Sequence, residues 1–394
     1  MTVPETVDVA VIGAGLAGLS FVAWLEQRCR RQGIRPPTVR LVDPRLEYTN
    51  DRSWCFWEGA PHPFADAVAR RWDSWQVAHG SRLVTRHARS RPYALVPADG
   101  LYQLATDCID RNPEFRLELG TRVERIEPRD AELLIETDHG AIRARSAIDT
   151  RPPGISEATA RTGLWQVFHG IEIEVATDRF DPSTVTLMDF EADPTEIRFA
   201  YVLPLGERRA LVELTAFRQN PVVSDLAGRL GERLATVFGH QITRRREEHG
   251  MLPMMPIPVP ERPDPRIITA GTAGGWMRPA TGYLFSACQR GANELARQAI
   301  AAPRSGIPRW RTPRSRPRDL DLLDRIFLRA MRNGPGDAPG WFLRLFGGTG
   351  ADQQARFLSD EPTLLDRLAV IAALPPRPML RAARECFWER STRP

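Results

Sequence analysis

The amino-acid sequence predicts an α/β fold of composite, α+β character. A parallel-sheet domain opens the chain, an antiparallel-sheet domain follows, and the C-terminal region is helical. Three observations predict it. The apolar run Val7-Asp8-Val9-Ala10-Val11-Ile12 leads directly into Gly13-Ala14-Gly15-Leu16-Ala17-Gly18 and a helical pattern to about Arg30. From about residue 163 the texture changes to longer, alternating apolar and polar positions. Beyond an arginine- and proline-rich stretch at 303–318, helical spacing runs to the C-terminus.

Taken in order, Val7 to Ile12 reads as a buried parallel strand and Val39-Arg40-Leu41-Val42-Asp43 as its neighbour, giving a βαβ unit. Residues 48–100 show no clean period and are expected to form loops and short helices. Asp99 to Arg111 looks helical. Phe115 to Leu119, Arg122 to Ile126, Glu132 to Thr137 and Ala141 to Ala144 read as short strands, and Ala147-Ile148-Asp149 as a buried strand ending in an acid. Gln166 to Glu174, Thr184 to Phe190, Ile197 to Pro204 and Arg209 to Thr215 predict an antiparallel sheet, with a helix near Val223 to Val237. Met251 to Pro260 is uncharged and Pro-rich. Arg266 to Ala270 predicts another strand, and Ser286 to Ala302 a helix. The expected domains are 1–162 with 263–302 for a dinucleotide, 163–262 for the substrate, and 303–394 as a helical region with a membrane-docking role.

The G-x-G-x-x-G spacing of Gly13, Gly15 and Gly18 gains weight from its context: a strand before it, a helix after it, and Asp43 at the end of the next strand. Such glycines let the backbone turn tightly and approach a pyrophosphate at a helix N-terminus. Ala14, Leu16 and Ala17 complete that turn, and Asp43 is placed to accept a hydrogen bond from a ribose. Gly271-Thr272-Ala273-Gly274-Gly275 forms a second glycine-rich turn after a strand. This pairing favours FAD over NAD in a Rossmann-like domain, because a helix end near that turn would stabilise a reduced flavin.

Composition narrows the chemistry. The chain of 394 residues has 54 Lys+Arg, all of them arginine. Schiff-base lysine catalysis and G-x-x-x-x-G-K-[ST] phosphate loops are therefore excluded. A hydrophobic fraction of 42% supports a true core. The net charge of +5 suits an acidic surface such as a phospholipid leaflet or nucleic acid, and only the family likeness given below favours the leaflet over nucleic acid. The 5 Cys are scattered without a C-x-x-C pair, which argues for reduced thiols and no metal site. Met1 to Glu5 lacks a basic segment, and the uncharged stretch 9–25 carries three glycines, so neither a signal peptide nor a membrane span is expected.

Several segments together carry a family likeness. Asn50-Asp51-Arg52-Ser53-Trp54-Cys55-Phe56-Trp57-Glu58 is similar to N-D-R-T-W-C-F-W-E. Leu187-Met188-Asp189-Phe190 matches an M-D-F element, and Phe199-Ala200-Tyr201-Val202-Leu203-Pro204 resembles F-x-Y-x-L-P. Leu211 to Phe217 resembles V-E-x-T-x-F, and Gly271 to Gly275 through Thr281-Gly282-Tyr283 matches G-x-A-G-G…T-G-Y. With Val11 to Gly18, these segments resemble the flavin-dependent bacterial lycopene β-cyclases over nearly the whole length.

The resemblance implies an intramolecular lyase of carotenoid biosynthesis that binds reduced FAD without net redox, with NAD(P)H as an external reductant. Its substrate would be lycopene or a related acyclic carotenoid. The protein would be cytoplasmic and peripheral on the inner face of the cell membrane. Glu213 is the implied proton donor or cation stabiliser. Its apolar neighbours Val212 and Leu214 alternate with it, and burial would keep it protonated. Asp189 is a second candidate acid. Arg52, Asp149, Thr281 and Gly282 join the glycine turns as candidate cofactor contacts. Trp54, Phe56, Trp57 and Tyr201 are candidate walls of a polyene tunnel. Trp341, Phe342, Leu345 and Phe346, with Arg304, Arg309, Arg311, Arg314, Arg316 and Arg318, form a candidate interfacial patch. Two other readings stay open: an FAD-dependent monooxygenase or isoprenoid reductase, and a flavin- or lipid-binding module.

Overall fold

A computed structural model describes residues 6–221, 225–239, 241–262, 264–302, 309–314 and 316–391. Residues 1–5 and, within the predicted linker, 303–308 and 315, Arg304 included, lie outside the described residues, as does the side chain of Arg318.

Strand Val7–Ile12 lies at the centre of the first sheet. It pairs in parallel with Val39–Asp43 on one side and Gly140–Asp149 on the other. Phe115–Leu119 and Ile267–Thr269 extend the parallel part, and Leu133–Thr137 and Val123–Pro128 add an antiparallel wing. The apolar runs are buried on both faces, one under helices and the other among side chains of the strands themselves, the antiparallel wing included. Helix Leu16–Gln32 packs between Ala98–Asp110 and Phe285–Ala301 on one face. It ends at Gly33, whose left-handed φ of 64° allows the cap amide to reach the Arg30 carbonyl. The two predicted segments around Ala141 and Ala147 are one continuous strand.

The second sheet has seven strands in the order Ile242–Met254, Leu164–Val175, Arg209–Arg218, Ile197–Pro204, Thr184–Phe190, Ser74–His79 and Arg82–His87. One face carries Val167, Ile171, Val212 and Leu214 against helix Leu226–Phe238. The other face looks into the protein.

Two features differ from the sequence reading. The stretch 48–100, expected as loops and short helices, holds five strands. Three of them, Ser53–Trp57, Arg70–Trp72 and Tyr93–Pro97, form a small sheet, and a hairpin from residues 74 to 87 extends the second sheet, its first strand running parallel to Thr184–Phe190. The long strand Ile242–Met254 was not predicted, because its core Arg244-Arg245-Arg246-Glu247-Glu248 has no apolar alternation.

Helices Arg318–Asn333, Ala338–Gly348, Ala351–Leu358, Leu364–Ala373 and Pro376–Ser391 form the C-terminal region. A buried ion network ties it to the rest. Arg278, beside the second glycine turn, donates to Asp324 at 2.9 and 3.2 Å. Arg316 donates to Asp324 at 2.7 Å and to Asp360 at 3.1 Å. Guanidinium groups suit this task, since each planar fork holds two carboxylates in fixed geometry. Arg316 thus belongs to the interior and not to an interfacial patch. Trp341, Phe342, Leu345 and Phe346 are buried as well, so the predicted docking patch is not formed by them.

Candidate functional site

The first glycine turn is built for close approach. Gly13 has φ of 98°, and a Cβ there would stand 2.4 Å from the Thr150 hydroxyl. A Cβ on Gly18 would meet the Gly13 carbonyl oxygen at 2.2 Å. At Gly15, by contrast, the nearest atom within reach of a Cβ is an Arg45 nitrogen at 4.0 Å, so the space beside the loop is open. The helix that starts at Leu16 has no side-chain cap and no acid in its first turn. Its first amides thus have no capping side chain, as an anion-binding terminus would have them. Ala14 donates its amide to Asp43 at 2.7 Å, and Tyr48 donates its hydroxyl to the Ala14 carbonyl. Asp43 also accepts from Arg45 through its other oxygen, so its first task is bracing the loop. Arg45, which lies over the rings of Tyr48 and Tyr102, is a neighbour of this cradle that motif reading missed.

The second glycine turn abuts the first. A Cβ on Gly271 would lie 3.1 Å from that of Ala17, and one on Gly274 would collide with the backbone of Ala270. Ala270 donates its amide to the Asp149 carbonyl, while the Asp149 carboxylate is held by Arg151 at 2.7 and 3.0 Å. Ala273 is buried in the turn and Gly275 takes a left-handed φ of 73°. These observations fit a dinucleotide such as FAD, with Gly13 to Gly18 and Gly271 to Gly275 to hold it.

A cavity of about 750 Å³ adjoins the second turn at Thr272. Thr272, Thr281, Gly282, Asp51, Arg52 and Trp54 form one part of its wall, and Arg52 is paired with Asp51. Gly282, at φ 72°, leaves room for Leu252 and Gln166. Phe168, Phe199, Tyr201 and Phe217 rise from the antiparallel sheet, and Phe342, Leu345 and Phe346 cover them from the helical region.

Two glutamates stand in this apolar wall. Gly170 lies between the strands Arg209–Arg218 and Ile242–Met254, in register with Glu213 on one and Glu248 on the other. The two side chains close over it: a Cβ on Gly170 would lie 2.7 Å from the Glu213 Cγ and 3.3 Å from the Glu248 Cγ. The two carboxyls are close enough to share a hydrogen bond when one of them holds a proton. Burial pushes the Glu213 carboxyl well above its ordinary range. The charge and hydrogen bond of Glu248 push the same way, and Arg246 opposes them. Glu248 is salt-bridged to Arg246 and accepts from the Ser53 hydroxyl at 2.9 Å; Arg246 donates to that same hydroxyl at 2.9 Å. Tyr201, opposite Glu213 in register, shares a hydrogen bond with Tyr93 at 2.9 Å, and Tyr93 with Tyr283 at 3.2 Å. Burial raises the Cys55 thiol and the Tyr201 phenol beside them, so both keep their protons.

The structure separates the remaining candidates. Asp189 does not line the cavity. It pairs in register with Ala200, not Tyr201, and bonds to Arg233 of helix Leu226–Phe238 at 2.6 Å on the far face. A register irregularity between Thr186 and Asp189 sets that orientation. Trp54 and Tyr201 line the cavity. Phe56 and Trp57 do not: Phe56 stacks on Phe285, and Trp57 packs among Trp75, Tyr93 and Tyr283 in the core. Glu248 and Ser53 are the residues that motif reading missed. A charged run hides the first, and the second stands where the similar motif has threonine.

Ile371 and Leu380 line the cavity yet are solvent-exposed, so it opens between the helices Leu364–Ala373 and Pro376–Ser391. The first of these is inverted in character. Leu364, Leu365, Leu368 and Ile371 share its outward face and are exposed by 73, 74, 62 and 51%, while Asp366 is buried against Arg356. Pro376–Ser391 turns Arg377, Leu380, Arg381, Arg384, Phe387 and Trp388 outward. Among the described residues no helix is long and apolar enough to cross a membrane.

Comparison with known proteins bears on this site. The sequence model of a family described as lycopene cyclase protein matches residues 8–384. The lycopene beta-cyclase of Pantoea ananas is 26% identical over 95% of this chain and 96% of its own. A lycopene beta cyclase of Synechococcus elongatus is 27% identical over 75% and 72%, and a chloroplastic neoxanthin synthase of Solanum tuberosum is 26% identical over 71% and 57%. Among solved structures, a geranylgeranyl bacteriochlorophyll reductase-like protein of Thermoplasma acidophilum has 13% identity and a TM-score of 0.58 over 96% of this chain and 99% of its own. The halogenase PltM has 12% identity and a TM-score of 0.57 over 99% and 93%. These likenesses show the shared fold. The chain belongs to the lycopene cyclase family, a family of ring-forming enzymes.

Proposed function

We propose that this member of the family is a lycopene β-cyclase, closing the acyclic ψ end groups of lycopene into β-rings to give γ-carotene and β-carotene. The observation that carries the reading is the raised, buried carboxyl of Glu213 in an apolar, aromatic cavity beside a dinucleotide cradle. A protonated carboxyl there can add a proton at C2 of the terminal C1=C2 bond. The C5=C6 double bond then attacks the C1 cation, and loss of the C6 proton completes the ring. Tyr201, Phe168, Phe199 and Phe217 present ring faces that favour a cation. The apolar wall keeps out the water that would quench it. Gly13 to Gly18, with Asp43 and Arg45 bracing them, and Gly271 to Gly275 would hold FAD, with Arg52, Thr281 and Gly282 on its cavity side. Bound in its reduced form, supplied with electrons by NAD(P)H, the flavin would contribute negative charge facing the cation.

The cavity mouth bears on how a hydrocarbon enters. The outward leucines of Leu364–Ala373 and the arginines of Pro376–Ser391 together suit the anionic inner leaflet of the cell membrane. Each leucine buried there contributes about 1.5–3 kcal/mol at most.

Expression in a lycopene-accumulating bacterium, with pigments separated by chromatography, tests the reading. Ring-bearing carotenoids are expected. Unchanged lycopene beside folded, flavin-loaded protein would refute it, and NAD(P)H consumed in proportion to product would favour an oxidoreductase. Changing Leu364 and Leu368 to Glu should lower co-sedimentation with anionic vesicles and leave flavin bound. Equal co-sedimentation would move the docking face elsewhere.

A further inference from the structure

We propose that Glu248 is the base of the reaction: it takes the C6 proton as the ring closes and returns it to Glu213 through the hydrogen bond between them. This inference rests on the cyclase reading above. It stands on the placement of the two carboxyls. They project from strands on either side of Gly170, over the one residue of the central strand that leaves them room. Both line the same cavity. Arg246 supplies the counter-charge of Glu248 and Ser53 a hydroxyl donor, so the two groups differ in kind although both are glutamates.

The other titratable neighbours are poorer bases. Burial holds the proton on the Cys55 thiol and on the Tyr201, Tyr93 and Tyr283 phenols. Arg246 is a cation. His249 also borders the cavity, but it follows Glu248 along a strand whose successive side chains alternate faces, and its ring stacks with His169. The cavity's other carboxylates are tied up, Asp51 with Arg52 and Asp324 with Arg278 and Arg316.

The step balances without an oxidant or reductant. Glu213 gives its proton to C2. The electrons of the C5=C6 bond form the C1–C6 bond and leave the cation at C5. Glu248 takes the C6 proton, and the electrons of that C–H bond restore C5=C6. The proton then passes from Glu248 to Glu213, and the site is reset with no net gain or loss.

The test is the ring type made by Glu248→Gln. Without the base, the C5 cation must lose a proton elsewhere, and loss from C4 gives a ring with the double bond at C4=C5. Flavin-loaded Glu248→Gln is expected to form rings about 100-fold more slowly or worse. Its residual product should shift from the β-ring toward the C4=C5 isomer. Glu248→Asp should recover part of the rate and the β-ring. Wild-type rate in Glu248→Gln, or a slower rate with ring type unchanged, overturns the assignment. If Glu248→Gln does not retain flavin, Glu248→Asp decides: β-rings from it support the base, and flavin-loaded protein without ring formation overturns it. A wild-type protein that makes no rings fails the cyclase reading itself, which is a separate outcome.

Discussion

Gly170→Ala is the smallest perturbation that reaches the carboxyl pair. The added methyl would lie 2.7 Å from the Glu213 Cγ, whereas carbon atoms rest at about 3.5–4.0 Å. Glu213 must therefore retreat by roughly 1 Å. Glu248, at 3.3 Å, needs to give only slightly. Overpacking of this kind costs about 1–3 kcal/mol, offset by about 0.4–1 kcal/mol from the stiffer unfolded chain. The expected destabilisation is thus roughly 0–2.5 kcal/mol, a shift of a few degrees at most in the apparent unfolding midpoint. The rate should respond far more, because a displacement of about 1 Å at a reacting group lowers turnover about 100-fold. Thermal unfolding of flavin-loaded protein reads the first quantity, and pigment formation in the lycopene-accumulating host, or with purified protein, reads the second. A variant that folds as expected and forms rings within twofold of wild type would refute the claim that Gly170 sets the spacing of the two acids.

Two further predictions concern the same sheet. Asp189→Ala removes a partly exposed ion pair with Arg233, so stability should change by less than about 1 kcal/mol and ring formation should stay within twofold; a large loss of turnover would return Asp189 to the reaction. Glu213 holds its proton more tightly when folded than when unfolded, where a glutamate titrates near ~4.3. Above that value the native state binds the extra proton, so its contribution to stability declines as pH rises until the folded carboxyl itself ionises. Ring formation should fail on that same alkaline side. Denaturant midpoints of wild type and Glu213→Gln measured across pH should therefore diverge, and superimposable profiles would contradict the raised carboxyl.

Much of the architecture was legible because the parallel sheet is written in continuous apolar runs and its turns in glycine. Glu213 was legible through the motif resemblance, and the alternation with Val212 and Leu214, which fill the opposite face of its strand, told only which way it points. The rest depended on facts that sequence spacing does not carry. Glu248 sits in a run of charges at the outer strand of the sheet, where one face is open to water and the apolar alternation is lost. Asp189 follows an irregularity that changes which side of the sheet a residue meets, and alternation alone assigns it to the wrong one. Phe56 and Trp57 share a motif with Trp54, yet only Trp54 reaches the cavity. Helical spacing likewise identifies an apolar stripe without saying whether protein lies against it. The stripe around Trp341 is covered, and the one on Leu364–Ala373 faces out.

That outward stripe has a kinetic consequence. Under the docking proposed above, a cavity whose mouth opens beside that stripe would be fed from a leaflet and would meet its substrate in two dimensions. The relevant concentration is then the mole fraction of carotenoid in lipid and not the amount per volume of water. Adding empty vesicles at fixed carotenoid would slow the enzyme by surface dilution, although nothing in the aqueous phase had changed.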